Sequence, residues 1–430
     1  MHLKAIVLTL LTVACLNVSA QATSGRLSIF GSSQNLKFGD GSTRDFSEVN
    51  ALFVFRTRLA EDADGFEYAL DVRETQYPSA ESRSNRTRLY DAWAGGRMAG
   101  GRFRVRAGQM WLHDFGALGS VGGLTAEYRT NPAAARRVRF GVFGGAEPKS
   151  FEAGYVPHIR KGGAWIAFES GPLRRHVLGY VLTRNSGLTE RSVLTTSNFV
   201  PVGKKLFLYQ LAEYDLEGAG GIGEKGLHYF FANARYTPVG AVDLLATVHR
   251  GRSIDARTIT EDILNGRPVD QKTLDGFLFE SAGARVTVEV LKNVRVHAGY
   301  ARDRHNREDR SFRRISAGVW AANVARSGFD LTLSDNRSER PDGSHDAWYA
   351  SLGRGLGQKL YLTADYATSL TVIRVVDGGA VIERRPKSKR YGLNGVWNMS
   401  PAFSWIGTIE RLEDDSSTDE RLLFGVIYRF

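Results

Sequence analysis

The sequence predicts an all-β fold, a transmembrane antiparallel up-and-down β-barrel of about 22 strands, in a range of roughly 20 to 24. Three observations predict it. Apolar and polar residues alternate along much of the chain. The candidate strands are about 8–12 residues long, which is close to the length that crosses a bilayer when a strand is tilted. The joins between them alternate between short and long.

Composition limits the other possibilities. The chain has 430 residues, a formal net charge of +11, 42% hydrophobic residues and 24% charged residues, an ordinary mixture for a folded protein. Its one cysteine excludes a disulfide framework, a cysteine-ligated zinc site and covalently attached haem. After the first 20 residues, no apolar run approaches the length of a membrane helix.

The N-terminus has the pattern of an export signal. Lys4 precedes an apolar run over residues 5–16, and Val18-Ser19-Ala20 has the small-x-small pattern of a signal peptidase site. We therefore expect residues 1–20 to be a cleaved signal peptide and residues 21–430 to form the barrel. Cleavage after Ala20 would also remove Cys15.

The alternation assigns one apolar and one polar face to each strand, because successive side chains of a strand point to opposite faces. One example is residues 294–300, in which valine, alanine and tyrosine alternate with arginine, histidine and glycine. A soluble sandwich has the same local pattern. The joins favour a barrel, since short segments such as 61–65 and 291–293 alternate with longer polar ones such as 32–48, 252–276 and 370–388. The arrangement predicts short turns at the end that carries both termini and long loops at the other.

The last strand is the most specific segment. Apolar residues occupy alternate positions up to the C-terminus: Leu422, Phe424, Val426, Tyr428 and Phe430. This ending resembles the C-terminal signature of Gram-negative outer-membrane β-barrel proteins of the porin-like kind. The resemblance implies location in the cell outer membrane with both termini in the periplasm. It also implies recognition by the barrel-assembly machinery and contact with outer-membrane lipid and lipopolysaccharide.

Arginine is concentrated on the polar faces. An arginine at mid-membrane on the lipid face would cost roughly 2–4 kcal/mol, so these side chains are expected to line the lumen. The predicted pore-lining residues are Arg56, Arg58, Arg102, Arg104, Arg106, Arg137, Arg139, Arg285, Arg295 and His297. An arginine excess in a wet lumen favours anions. Alternatively, these charges pair with carboxylates and only hold the wall together.

Two further motifs are typical of other functions, but their sequence context does not support those functions. Residues 218–223 match G-x-G-x-x-G, but both flanks are strand-like, whereas the dinucleotide fingerprint needs a strand before it and a helix after it. Basic clusters at 302–314 and 383–390 raise the question of nucleic acid. No zinc finger or aromatic RNA-binding signature accompanies them, so lipopolysaccharide phosphates or plain solvent are the expected contacts, and no nucleic acid is expected.

These observations predict porin-like passive passage of small, preferentially anionic solutes, with no enzymatic activity, cofactor, catalytic residue or metal site. One alternative is a sheath barrel around a periplasmic multihaem cytochrome, as in porin–cytochrome electron conduits, or a barrel of a polymer-export complex. The other is a hydrolase at the membrane rim, with His297 as a possible base.

Overall fold

The computed structural model describes residues 22–78, 84–149, 152–171, 173–307, 310–340, 342–377 and 380–430. The predicted signal peptide therefore lies outside the described residues. None of the helices in these ranges is long and apolar enough to cross a bilayer.

The described residues form one antiparallel sheet. Its strands are β1 (Ala22–Phe38), β2 (Thr43–Arg58), β3 (Gly65–Gln76), β4 (Arg86–Met98), β5 (Phe103–Trp111), β6 (Ser120–Arg129), β7 (Arg136–Pro148), β8 (Tyr155–Ser170), β9 (Arg174–Asn185), β10 (Leu188–Val202), β11 (Leu206–Glu217), β12 (Gly226–Val239), β13 (Val242–Ser253), β14 (Phe277–Leu291), β15 (Val294–His305), β16 (Phe312–Ala321), β17 (Phe329–Arg340), β18 (Gly343–Leu356), β19 (Leu360–Asp377), β20 (Ala380–Arg384), β21 (Lys387–Asn398), β22 (Phe403–Asp414) and β23 (Ser417–Arg429). Two short helices, α1 (Ala256–Leu264) and α2 (Gln271–Asp275), lie between β13 and β14.

The sheet closes into a barrel of 22 strands. Consecutive strands pair, and β1 pairs with β23 from Arg26–Arg429 to Phe38–Ser417. β20 and β21 both pair with β19 and together form one barrel strand. This strand is interrupted next to Pro386, which has no N–H to donate. The predicted fold class is confirmed, and the even strand number brings both termini to the same rim, here called the terminal rim.

The strand register aligns residues of the same face from one strand to the next around the barrel. Val296 lies opposite Val288 on one side and Val319 on the other, while Arg295 lies opposite Trp320. The charged face points inward. Arg257 of the β13–β14 connection contacts Glu147 at the end of β7, and since six strands, β8 to β13, separate these elements, the contact crosses the barrel interior.

The connections at the far rim differ in part from the prediction. Residues 254–276 form a long connection that contains α1 and α2. The segments 32–48 and 370–388 are mostly strand, because β1 and β2 pair as far as Lys37–Thr43 and β19 continues into its pairing with β20. Hairpins that extend beyond a membrane are wet on both faces, so their composition resembles that of a loop while backbone pairing continues.

The C-terminal residue closes the barrel seam. Its backbone carbonyl accepts from the N–H of Gly25 at 2.8 Å, and its own N–H donates to the carbonyl of Gly25 at 3.1 Å. The Phe430 ring lies over Gly25, with its centroid 6.4 Å from that of Phe53 and 6.0 Å from that of Phe55. The five residues of the predicted signature share the outer face with these rings, and four of them are exposed.

Deleting Phe430 should impair barrel assembly, because the seam would lose two backbone hydrogen bonds and an aromatic cluster. We expect a several-fold loss of the heat-modifiable barrel form of the chain in outer-membrane fractions on semi-native gels. Phe103→Ala, which removes an exposed outer-face ring far from the seam, is the control and should assemble normally. Normal assembly without Phe430 would contradict the role given to this residue.

Candidate functional site

The inner face of β3–β9, with the connections beside it, carries a dense set of charges, most of them ion-paired, here called the basic wall. It consists of Arg97, Arg104, Arg106, Arg129, Arg137, Arg139 and Arg175, together with Glu61, Glu67, Asp114, Glu127 and Glu169. It therefore holds two more guanidinium groups than carboxylates.

Three carboxylates tie neighbouring strands together. Glu67 pairs with Arg97 at 2.6 Å and with Arg104 at 2.7 Å. Glu127 pairs with Arg129 at 2.5 Å and with Arg139 at 3.2 Å. Glu169, which pairs with Arg139 at 2.9 Å and with Arg137 at 2.5 Å, completes the series. For these arginines the contacts follow the alternative interpretation, in which paired charges hold the wall.

Arg106 differs from its neighbours. It lies on the same face as Arg104, but no hydrogen bond or ion pair joins it to any residue of the described ranges. Its guanidinium instead lies over the Trp93 ring, 5.2 Å from the centroid, and Arg104 lies 5.6 Å from the same centroid. A cation on an aromatic face keeps its full charge. Arg106 therefore presents to the lumen a positive charge that no carboxylate of the described residues pairs with directly.

The connection His113–Gly119 folds into the barrel and is called the lumen loop here. Phe115 is 1% exposed, and its centroid lies 5.3 Å from that of Phe143 and 5.7 Å from that of Trp165. Gly179 makes this packing possible, because a Cβ at that position would overlap the Phe115 ring. The loop is therefore held on the inner wall by an apolar cluster inside a charged lumen.

An acidic residue fixes the lumen loop at a defined level. Asp114 accepts from Arg139 at 3.1 Å and also forms an ion pair with Arg175. The register aligns Arg106 with Thr125 of β6, and Thr125 with Phe143 of β7. Since Phe115 packs on Phe143, the lumen loop narrows the barrel on the same rung as Arg106.

A second segment enters the lumen near the far rim. In α1, Ile259 is fully buried, and Arg257 donates to Glu147 at 2.5 Å while lying 3.6 Å from Glu190. Lys161 of β8 also pairs with Glu147, at 3.6 Å. Burial disfavours the charged form of Arg257, but the hydrogen bond and the charge of Glu147 outweigh it and raise the pKa of Arg257. This contact fastens the β13–β14 connection across the barrel mouth.

The opposite inner wall is mixed in charge. Its ion pairs include Arg295–Glu289, Arg314–Asp303, Arg390–Glu410 and Arg421–Asp419. Asp365 accepts hydrogen bonds from Tyr349 and Asn394, and Asp330 accepts one from Tyr361. The two walls therefore present different charge patterns, with the arginine excess on the side that carries the lumen loop.

The structure does not bring all the predicted pore-lining residues together. Arg104, Arg106, Arg137 and Arg139 lie in the basic wall. Arg56 pairs with Asp91 at 2.9 Å on the inner face of β2, and Arg58 ends that strand. Arg102 lies in the turn before β5 at the terminal rim, and Arg285, Arg295 and His297 lie on β14 and β15. Their role in transport remains a prediction.

Sequence reasoning missed several members of this site. Arg129 could have been found, because Thr125, Glu127 and Arg129 alternate with Leu124, Ala126 and Tyr128. The lumen loop had a weaker sequence signal, since the apolar residues Phe115 and Leu118 lie within a connection between strands. His297 lies against Gly318, and no hydrogen bond joins it to another residue of the described ranges. In those ranges no three His, Cys, Asp or Glu residues are grouped to hold a metal ion.

Comparison with known proteins gives structural matches only. No protein-family model matches the sequence, and no curated protein matches it. Solved structures with a similar fold include OccK11 (OpdR) of Pseudomonas aeruginosa, at 11% identity and a TM-score of 0.46 over 95% of this chain and 96% of that one. OccK2 (OpdF) of the same species has 11% identity and a TM-score of 0.46 over 96% and 100% of the two chains. A BenF-like porin from Pseudomonas fluorescens Pf-5 has 9% identity and a TM-score of 0.47 over 95% and 98%.

Replacing Glu127 should test the cohesion of the basic wall. Glu127→Gln leaves Arg129 and Arg139 without their shared carboxylate in a site where Glu127 is 5% exposed. Loss of one partner from such a pair costs on the order of 3 kcal/mol. We expect a lower midpoint for the heat-induced gel shift of the folded barrel. Glu413→Gln, which breaks the exposed pair with Arg411, should change it little. Equal midpoints for the two variants would contradict the structural role of Glu127.

Proposed function

We propose that this chain is an outer-membrane channel through which small anionic solutes pass passively. The observation that carries the proposal is the Arg106 guanidinium, which has no directly paired carboxylate among the described residues and is aligned by register with Phe143, on which the lumen loop packs. The apolar outer face, the aromatic C-terminus and the predicted export signal support placement in the outer membrane, with the terminal rim in the periplasm.

The selectivity follows from simple electrostatics. A unit charge acts on an ion 4 Å away with about 1 kcal/mol in water, and more strongly where protein displaces water. That energy enriches anions roughly five-fold beside Arg106 and depletes cations by a similar factor. The paired charges of Glu67, Glu127 and Glu169 largely cancel those of their arginines, so Arg106, which has no directly paired carboxylate among the described residues, sets the sign at the basic wall.

The contents of the lumen favour a channel over the sheath alternative. A barrel wrapped around a multihaem cytochrome or an export partner needs its interior for that partner. Here the lumen loop and α1 occupy part of the interior, and both are fastened by ion pairs. The rim-hydrolase alternative has no observation in its favour, because His297 lies on the inner wall without a hydrogen-bonded nucleophile in the described ranges.

Liposome swelling tests the proposal with solutes of similar size and different charge. Proteoliposomes that contain the refolded barrel are challenged with gluconate, glucose and N-methylglucamine. We expect gluconate to enter fastest and N-methylglucamine slowest, while protein-free liposomes admit none of the three. Entry of N-methylglucamine as fast as gluconate would contradict the anionic preference. A haem-stained band that accompanies the barrel from native membranes would favour the sheath.

A further inference from the structure

A second arginine-rich site lies on the outside of the barrel. A concavity of about 340 Å³ opens near the far rim at β15–β17. Its lining includes three arginines, Arg302, Arg310 and Arg313, here called the arginine pocket, and one carboxylate, Glu339, while Arg340 at its edge lies over the inward-facing Phe312 ring. Tyr300 and Ser311 complete its polar edge. The pocket thus combines a strong positive charge with a surface that the lumen does not use.

The charges of the arginine pocket are only partly compensated. Arg302 and Arg313 are directly opposite each other in the β15–β16 pair, a placement in which like charges repel. Arg313 pairs with Glu339 at 2.5 Å. Arg302 donates to the Ser311 hydroxyl at 2.9 Å, and no ion pair joins it to a carboxylate of the described ranges. An anion between the two guanidinium groups would relieve the repulsion.

An apolar strip lies directly below the arginine pocket. Tyr300 and Ile315 are opposite each other and are 53% and 44% exposed. The outward positions of β15 continue with Ala298, Val296 and Val294 towards the terminal rim. At about 3.3 Å per residue and a tilt of about 40°, Val294 and Arg302 are separated by about 20 Å along the barrel axis. The apolar band of such barrels is about 25 Å tall, so the pocket lies at its upper margin.

We infer that the arginine pocket binds a phosphate group of the lipid A moiety of lipopolysaccharide, with its acyl chains on the strip below. Arginine forks bind phosphate oxygens in bidentate geometry. The chemistry that fits both halves of the site is an amphiphile with a phosphorylated head and several acyl chains, rather than a free anion. This inference rests on the proposed outer-membrane placement, which directs the far rim to the outer leaflet.

Binding of lipid A to the detergent-solubilised barrel tests the inference. The test variant is Arg302→Gln with Arg313→Gln. The control is Lys389→Gln with Arg411→Gln, which removes the same charge from the outer face of β21 and β22, where both cations lie beside Glu413. We expect bisphosphorylated lipid A to bind at least tenfold more weakly to the test variant and within twofold of the native value to the control. Dephosphorylated lipid A should bind the native barrel weakly.

Several outcomes would overturn the inference. These are equal weakening in both variants, unchanged binding by the test variant, or tight binding of dephosphorylated lipid A. Displacement of the lipid by inorganic phosphate at equal concentration would assign the pocket to free anions instead. Native heat-modifiable migration and conductance show that the variants are folded. A barrel that binds lipid A but conducts no ions would contradict the proposed channel and leave the lipid site standing.

Discussion

Replacing Arg106 by glutamate should change the sign of the channel's ion selectivity. The substitution exchanges the Arg106 cation beside the lumen loop for an anion, a change of two charges at one point of the lumen. We expect the ratio of anion to cation permeability to fall about tenfold or more, as the energies near a unit charge imply. The measurement is the reversal potential of barrels in planar bilayers across a potassium chloride gradient.

Two control variants distinguish the effect of the charge at residue 106 from the effects of substitution at that position and of the protein's total charge. Arg106→Lys keeps the charge and should keep the native sign of selectivity. Arg411→Glu makes the same charge change on the outer face and should leave the reversal potential unchanged. Native selectivity in the Arg106→Glu barrel would remove Arg106 from the permeation pathway.

Releasing the lumen loop should widen the channel. The double substitution Asp114→Asn with Phe115→Ala removes the ion pairs with Arg139 and Arg175, and it removes the ring that packs on Phe143 and Trp165. Truncation of a buried phenylalanine costs about 3–5 kcal/mol, enough to free a loop held mainly by these contacts. We expect single-channel conductance to rise at least twofold, with weaker anion preference because solutes pass farther from Arg106.

The β1–β2 turn offers a matched control for the loop variant. Phe38→Ala with Asp40→Asn removes an exposed phenylalanine and an acidic residue that accepts hydrogen bonds from Ser42 in a connection at the same rim. That variant should conduct like the native barrel. Native conductance in the Asp114/Phe115 variant would show that the lumen loop does not limit ion flow.

The architecture could be predicted from the sequence because every barrel strand follows the same local pattern, in which outward and inward side chains alternate. Residues 294–300 alternate between an outer and an inner face whatever the neighbouring strands contain. The aromatic residues of the C-terminus likewise follow a local pattern, and they lie together on the outer face. The extended hairpins at the far rim were missed, since polar residues on both faces conceal backbone pairing.

The site depends on contacts that no local pattern contains. Arg104 and Arg106 are equivalent in the alternation, and only the proximity of Glu67 to Arg104 distinguishes them. The lumen loop folds inward because Gly179 and Trp165, both distant in sequence, leave room for the Phe115 ring and pack against it. The difference between the paired Arg104 and Arg106 therefore follows only from the three-dimensional register.

The reversal potential of the native barrel shows whether this protein is an anion-preferring channel. Purified barrels are inserted into planar bilayers of neutral lipid, with tenfold different potassium chloride concentrations on the two sides. Stepwise conductance with a reversal potential displaced towards the chloride equilibrium potential is the result that an anion-preferring channel gives. Stepwise conductance with a reversal potential displaced towards the potassium equilibrium potential would contradict the anion preference.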